Sequence, residues 1–175
     1  MRFIDLFSGM GGFRLALEQN KLKCVFSADN DKFACETYNL NFHEYPLIDI
    51  KNLDIKKIPD HEILCAGFPC QPFSIGGYRK GFNDIRGTLF FDIVKILKIK
   101  KPKIFILENV KGLTNHDKGR TFKVILDYLA SQINGTDHPT SNKDNLGYNV
   151  FWDILNTKDF NLPQNRERTF IVGFK

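Results

Sequence analysis

Short apolar runs alternate with longer stretches of helical periodicity along the whole chain. The runs predict strands over Arg2–Phe7, Cys24–Asp29, Ile63–Phe68, Ile104–Asn109, Tyr148–Leu155 and Arg168–Phe174, with a shorter one near Leu47–Ile50. The periodic stretches predict helices over Gly12–Asn20, Asp31–Asn41, Gly87–Lys100 and Gly119–Ile133. In the third helix Leu89, Phe90, Ile93, Ile96 and Leu97 share one face, Pro102 stops the helix, and Ile104 opens the next strand. Such alternation predicts an α/β fold, a mostly parallel sheet joined by crossover helices. Asn156–Glu167 is too short for a crossover helix, so the last two strands are expected to form an antiparallel pair.

Two segments interrupt this rhythm. Pro69–Arg86 holds Pro72, Gly76, Gly77 and Gly81 and reads as a long loop. Asn134–Gly147 is polar, with Gly135 and Pro139, and reads as a surface excursion. There is no repeat or linker, so residues 1–175 are expected to be one catalytic and cofactor-binding domain.

Composition narrows the function classes. The 17 Phe must mostly be buried. No apolar run is long enough to span a bilayer, and Asp5 inside the first apolar stretch marks a strand and not a signal peptide. No membrane association is expected. Cys24, Cys35, Cys65 and Cys70 lack Cys-x-x-Cys spacing, and His43, His61, His116 and His138 are scattered, so reduced thiols and no metal are expected. The net charge of +5 permits a polyanionic partner without demanding one. Lys95, Lys98, Lys100, Lys101 and Lys103 surround a helix C-terminus, where cations offset the helix dipole.

Four segments carry candidate chemistry. In Asp5–Phe13, Gly9, Gly11 and Gly12 follow a strand and open a helix, which allows a sharp turn and close approach of a ligand. Asp29, about 20 residues on and at the end of the second strand, is where a nucleotide site places its ribose-binding acid. A plain tight βα turn is the competing explanation, and the glycine spacing is not that of a dinucleotide fingerprint. In Ala66–Ser74, Cys70 stands just past a strand's carboxyl end, between Pro69 and Pro72. It is either a nucleophile activated as thiolate or a structural loop cysteine. Glu108 ends the apolar strand Ile104–Asn109, a costly position for a carboxylate without a task; a turn-capping role is the alternative. Arg166 and Arg168 alternate with Glu167, so the two arginines face one side, to hold a phosphate or a base carbonyl or else to line a solvated edge.

Together these segments resemble the DNA cytosine-5 methyltransferases, particularly the compact bacterial modification enzymes. The resemblance rests on Asp5–Arg14, Gly67-Phe-Pro-Cys-Gln-Pro-Phe-Ser74, Gly76–Phe91, Glu108-Asn-Val110 and Gln164-x-Arg-x-Arg168, in the family's order. It implies a Rossmann-like S-adenosyl-L-methionine-dependent methyltransferase fold, a cytoplasmic location of bacterial or phage-encoded type, and DNA as substrate. It further implies that Cys70 attacks carbon 6 of a flipped-out cytosine, Glu108 holds ring nitrogen 3 and the exocyclic amine, Arg168 contacts the base carbonyl and Arg166 supports the pocket. Phe7, Gly9, Gly11, Gly12, Asp29, Asp49, Ile50 and Phe68 would form the cofactor side. Ile48 stands where the family usually has a glycine before the adenine-contacting acid, here Asp49.

Family members continue into a target-recognition domain and a final segment that completes the cofactor pocket and sheet. Against that pattern the chain reads as one subunit of a split enzyme, a truncated product or a fragment, with a second chain expected to carry recognition. A related branch with similar blocks methylates tRNA, and a non-catalytic cofactor-binding module is a further alternative. A nicotinamide dehydrogenase would need the dinucleotide glycine spacing, which is absent.

Overall fold

The computed structural model describes residues 1–69 and 89–175. The segment from Cys70 to Thr88, with the expected nucleophile and the glycines of its loop, lies outside the described residues. Those described form strands β1 (Arg2–Leu6), β2 (Lys23–Ala28), β3 (Ile63–Gly67), β4 (Ile104–Val110), β5 (Ala130–Ile133), β6 (Thr136–Asp137), β7 (Tyr148–Asn156) and β8 (Glu167–Phe174). Helices α1 (Gly12–Gln19), α2 (Lys32–Phe42), α3 (Leu89–Lys100) and α4 (Arg120–Leu129) lie between them.

One sheet runs in the order β2-β1-β3-β4-β8-β7-β5-β6. β1, β2, β3 and β4 are mutually parallel, and β5 is parallel to β7. β8 lies between β4 and β7 and is antiparallel to both. The antiparallel β7–β8 pair is the one expected from the short connection between them.

Alternation along the strands sends side chains to two faces. Ile4, Leu6, Leu64, Ala66, Phe105, Leu107, Val150 and Ile171 join α3 and α4 in the main core. Phe90, Ile93, Ile96 and Leu97 are at most 1% exposed, as the periodicity of α3 predicts. Each such burial contributes about 1.5–3 kcal/mol. A smaller core on the opposite face packs Phe3, Ile63 and Cys65 against Phe13 and Leu17 of α1. Further along that face, on β4, β8 and β7, the side chains are only partly covered: Phe151 and Phe174 are exposed, their rings 6.1 Å apart.

Two expectations are corrected. The last helix ends at Leu129, not Ile133, because Ala130 turns extended (φ −109°, ψ 130°) and Ala130–Ile133 pairs with β7. Asn134 and Gly135, both at positive φ, then reverse the chain into β6, so the polar excursion begins as a hairpin. Near Leu47–Ile50, extended pairing is confined to one bridge between Asp29 and Leu47. Asp49 ends it by accepting the N–H of Lys51 and capping a short 3-10 turn over Ile50–Asn52.

Candidate active site

The residues expected on the cofactor side gather at the carboxyl ends of β1 and β2. Phe7, Gly9 and Gly11 all lie at positive φ (55°, 54° and 92°), so the chain reverses within a few residues and then enters α1. The turn is held by three backbone-directed bonds: Ser8 N–H to the Ala28 carbonyl (3.2 Å), Gly11 N–H to the Ser8 carbonyl (2.8 Å), and Gly9 N–H to the Asp29 carboxylate (2.8 Å). The second Asp29 oxygen accepts the N–H of Asp31 (2.8 Å). Asp29 therefore fastens the glycine turn to the start of α2 while keeping acceptor capacity for a hydroxyl donor. Phe7, Asp29, Asn30, Ile48, Asp49 and Ile50 line one hollow, which brings together four of the residues expected on the cofactor side, Phe7, Asp29, Asp49 and Ile50.

The turn has the form of a cradle. Among the described residues, a side-chain carbon placed on Gly9 or Gly12 would meet no atom within 4 Å, and the buried hydroxyl of Ser8 has no hydrogen-bond partner. Exposed backbone and an unused buried hydroxyl suit a ligand carrying polar groups.

Beneath the turn, Asp5 is fully buried, and among the described residues neither of its carboxyl oxygens has a partner at hydrogen-bond distance. Burial, abetted by the nearby Asp29 carboxylate and only partly offset by the backbone of Arg14, pushes its pKa up to about 8. Burial likewise raises the thiols of Cys24, Cys35 and Cys65, which marks them as inert packing groups.

The second cleft opens at the carboxyl end of β4. Glu108, Arg166, Arg168, Leu155, Phe160, Leu162 and Phe170 line a hollow of about 360 Å³. Nε of Arg168 lies 2.9 Å from Oε1 of Glu108, and both side chains are about a quarter exposed. Arg166 and Arg168 share this cleft, whereas Glu167 turns away and pairs with Lys111 at 2.8 Å. Asn156 fixes the arginine segment by accepting the N–H of Arg166 (3.2 Å) and donating to Asn165 (2.6 Å).

Gly67 joins the two clefts. A carbon added there would lie 3.5 Å from Oε2 of Glu108 and 3.9 Å from the carbonyl oxygen of Phe7. The Glu108 carboxylate and the glycine turn thus meet over one Cα. Phe68 follows, buried, and its carbonyl accepts Nδ2 of Asn109 at 2.8 Å. Asn109 so anchors the start of the Pro-Cys segment to β4. Asn109, Asn156, Phe160 and Leu162 line or brace the candidate site, and sequence reasoning did not single them out for it. Only Asn109, placed beside Glu108, carried a signal.

The sequence pattern of the C-5 cytosine-specific DNA methylases matches residues 1–175. The chain belongs to that family. Among its methylase relatives, the type II methyltransferase M.NgoBI of Neisseria gonorrhoeae is 54% identical over 98% of this chain and 50% of its own length. M.HaeII of Haemophilus aegyptius is 56% identical, with 98% and 49% covered, and M.HhaI of Haemophilus parahaemolyticus 48%, with 100% and 49% covered. The chain thus spans about half the length of these curated relatives. Its fold is shared with the crystal structure of S. pombe Dnmt2 methyltransferase (TM-score 0.69, 25% identity, 99% of this chain and 50% of that one). A putative DNA modification methyltransferase encoded within an E. coli prophage has the same fold (TM-score 0.70, 20% identity, 100% and 47% covered). Among the described residues no group of side chains is placed to hold a metal ion, and no helix is long and apolar enough to cross a membrane.

Proposed function

We propose that this methylase domain carries the catalytic half of a reaction that moves a methyl group from S-adenosyl-L-methionine to carbon 5 of cytosine in DNA. The observation that carries this reading is the convergence of the Glu108–Arg168 pair and the glycine turn on Gly67. Two reactants bound in the two clefts would be neighbours, which is what direct group transfer requires.

Carbon 5 of cytosine is a weak nucleophile. Attack of the Cys70 thiolate on carbon 6 would make it a strong one, and Glu108 would steady the charge that develops at ring nitrogen 3 and the amine. Once carbon 5 is methylated, loss of its proton to a base would break the bond to Cys70, expel the thiolate and restore the ring. Arg168 would hold the base carbonyl, and Arg166 would support the wall behind it. The cofactor supplies an electrophilic methyl group. Phe7, Gly9, Gly11, Gly12, Asp29, Asp49, Ile50 and Phe68 would hold it, Asp29 by taking ribose hydroxyls. Stacking hides the target carbon in a duplex, so the base must leave the helix to reach the 360 Å³ cleft.

Sequence recognition is assigned to a segment or second chain matching the other half of the relatives' length. The partly covered face of β4, β8 and β7 offers that segment an apolar seat.

The test is transfer of labelled methyl from adenosylmethionine to mixed-sequence DNA and to tRNA. It is run with this chain alone and with a chain supplying the remaining half. Label in DNA, abolished by Cys70→Ser, supports the reading. Label in tRNA moves the substrate to RNA, and cofactor binding without transfer to either acceptor leaves a binding module.

A further inference from the structure

Helix α2 touches the cofactor cradle at both ends. Its start is fixed by Asp31, which accepts the N–H groups of Phe33 (2.8 Å) and Ala34 (3.0 Å), and by Asp29, which accepts the N–H of Asp31. Its end is fixed by His43 in the left-handed region (φ 56°). Eleven residues at about 1.5 Å each carry the chain roughly 16 Å and bring its last turn back against the glycine turn.

Two contacts are made there. Nδ2 of Asn41 donates to the carbonyl of Met10 at 3.3 Å. The Phe42 ring lies directly on Gly11: a carbon added to Gly11 would come 2.1 Å from Cε2 and 2.8 Å from Cζ of that ring. Gly11 is thus closed off by Phe42, whereas no described residue lies within 4 Å of a carbon added to Gly9 or Gly12.

Phe42 is itself held. The Arg14 guanidinium stacks 4.6 Å from its centroid and 5.6 Å from that of Tyr38. It also donates to Tyr38 Oη (3.0 Å), to Glu18 (2.9 Å) and to Glu44. Tyr38 in turn packs on Phe42 at 4.7 Å and bonds Ser27 at 2.5 Å. An unbroken set of contacts runs from β2 through α2 and α1 to the back of the turn.

We propose that Asn41 and Phe42 are positioning residues for the cofactor, seating the glycine turn in its ligand-ready shape. This rests on the reading of that turn as the adenosylmethionine site. A turn of three positive-φ residues has other conformations open to it, and a loosened turn would spend binding energy on being ordered. Adenosylmethionine affinity therefore depends on a ring behind Gly11 as well as on the groups that face the ligand.

The experiment is a double-mutant cycle between Gly11 and Phe42, read by calorimetric adenosylmethionine binding and by thermal unfolding of the same chain. Phe42→Ala should weaken the cofactor about tenfold, with Phe42→Tyr near the parent value. Gly11→Ala should weaken it further, and Gly11→Ala with Phe42→Ala should regain about tenfold over Gly11→Ala alone, a coupling of the size contacting residues show. Strictly additive losses, or Phe42→Ala changing the melting temperature but not the affinity, overturn the proposal. If the parent chain binds no adenosylmethionine, the site reading falls, and the unfolding arm still reports whether Phe42 and Gly11 are coupled.

Discussion

Nε of Arg168 on β8 lies 2.9 Å from Oε1 of Glu108 on β4, an ion pair across two adjacent antiparallel strands. It fixes the carboxylate at the mouth of the cleft and aims its other oxygen toward Gly67. Glu108→Gln keeps the shape but removes the charge that binds Arg168 and that would stabilise a reacting cytosine. Methyl transfer should fall about 10²–10³-fold, with adenosylmethionine affinity unchanged. Single-turnover kinetics with saturating cofactor measure this. An equal loss of cofactor binding would show that Glu108 serves the other cleft.

Asp29 has a double assignment, since its carboxylate already holds Gly9 and Asp31. Asp29→Asn keeps one acceptor oxygen and loses the charge. Hydrogen bonds to a charged group are worth about 1.5–3 kcal/mol, so adenosylmethionine affinity should drop about ten- to a hundredfold. Calorimetric titration checks this, and an unchanged affinity removes Asp29 from the site.

Asp5 sets a pH dependence of stability. In the unfolded chain its carboxyl ionises near 3.8, whereas in the fold burial holds the proton up to about 8. Between these values the folded state binds a proton that the unfolded state has lost. Its contribution is therefore fully present below about 3.8, declines as pH rises, and is gone above about 8. Asp5→Asn should flatten this part of the profile, so that the difference in melting temperature between variant and parent changes from pH 5 to pH 9 in the variant's favour. A pH-independent difference would exclude the linkage.

Gly173 is fixed by packing and not by the site. A carbon there would come 2.2 Å from the Phe105 ring, itself held against Tyr148 at 4.9 Å. Gly173→Ala should cost about 1–3 kcal/mol through overpacking, which lowers the melting temperature by roughly 2–4 °C per kcal/mol. Pairing it with Phe105→Leu should recover part of the loss, and cofactor affinity should stay at the parent level throughout.

Much of this was legible in the residues. The buried face of α3 follows from its periodicity, and the β7–β8 pair follows from a connection too short for a helix. The end of α4 was not legible, because Tyr128-Leu-Ala-Ser-Gln-Ile continues without a breaker until Asn134. What ends the helix is pairing with β7, a contact far away in sequence. At the site, Glu108 and Arg168 stand out as charged groups on apolar strands, and Arg166 as a charge just before one. Asn41 and Phe42 do not, since a polar residue and an aromatic one at a helix end look ordinary until Gly11 is seen beneath the ring. Phe160 and Leu162 were likewise invisible, because their place in the cleft depends on how Asn156 folds the connection between β7 and β8.

The position of β8 bears on how the chain can be assembled as it leaves the ribosome. β1 to β4 can pair as they emerge, and so can β5 to β7, but the two groups share no ladder until Glu167–Phe174 arrives between β4 and β7. Before that moment each group presents an unpaired strand edge, the surface on which nascent chains stick to one another. Synthesis arrested before residue 167 would yield two half-sheets instead of a slightly shorter one, and holding those edges apart would fall to chaperones until β8 emerges.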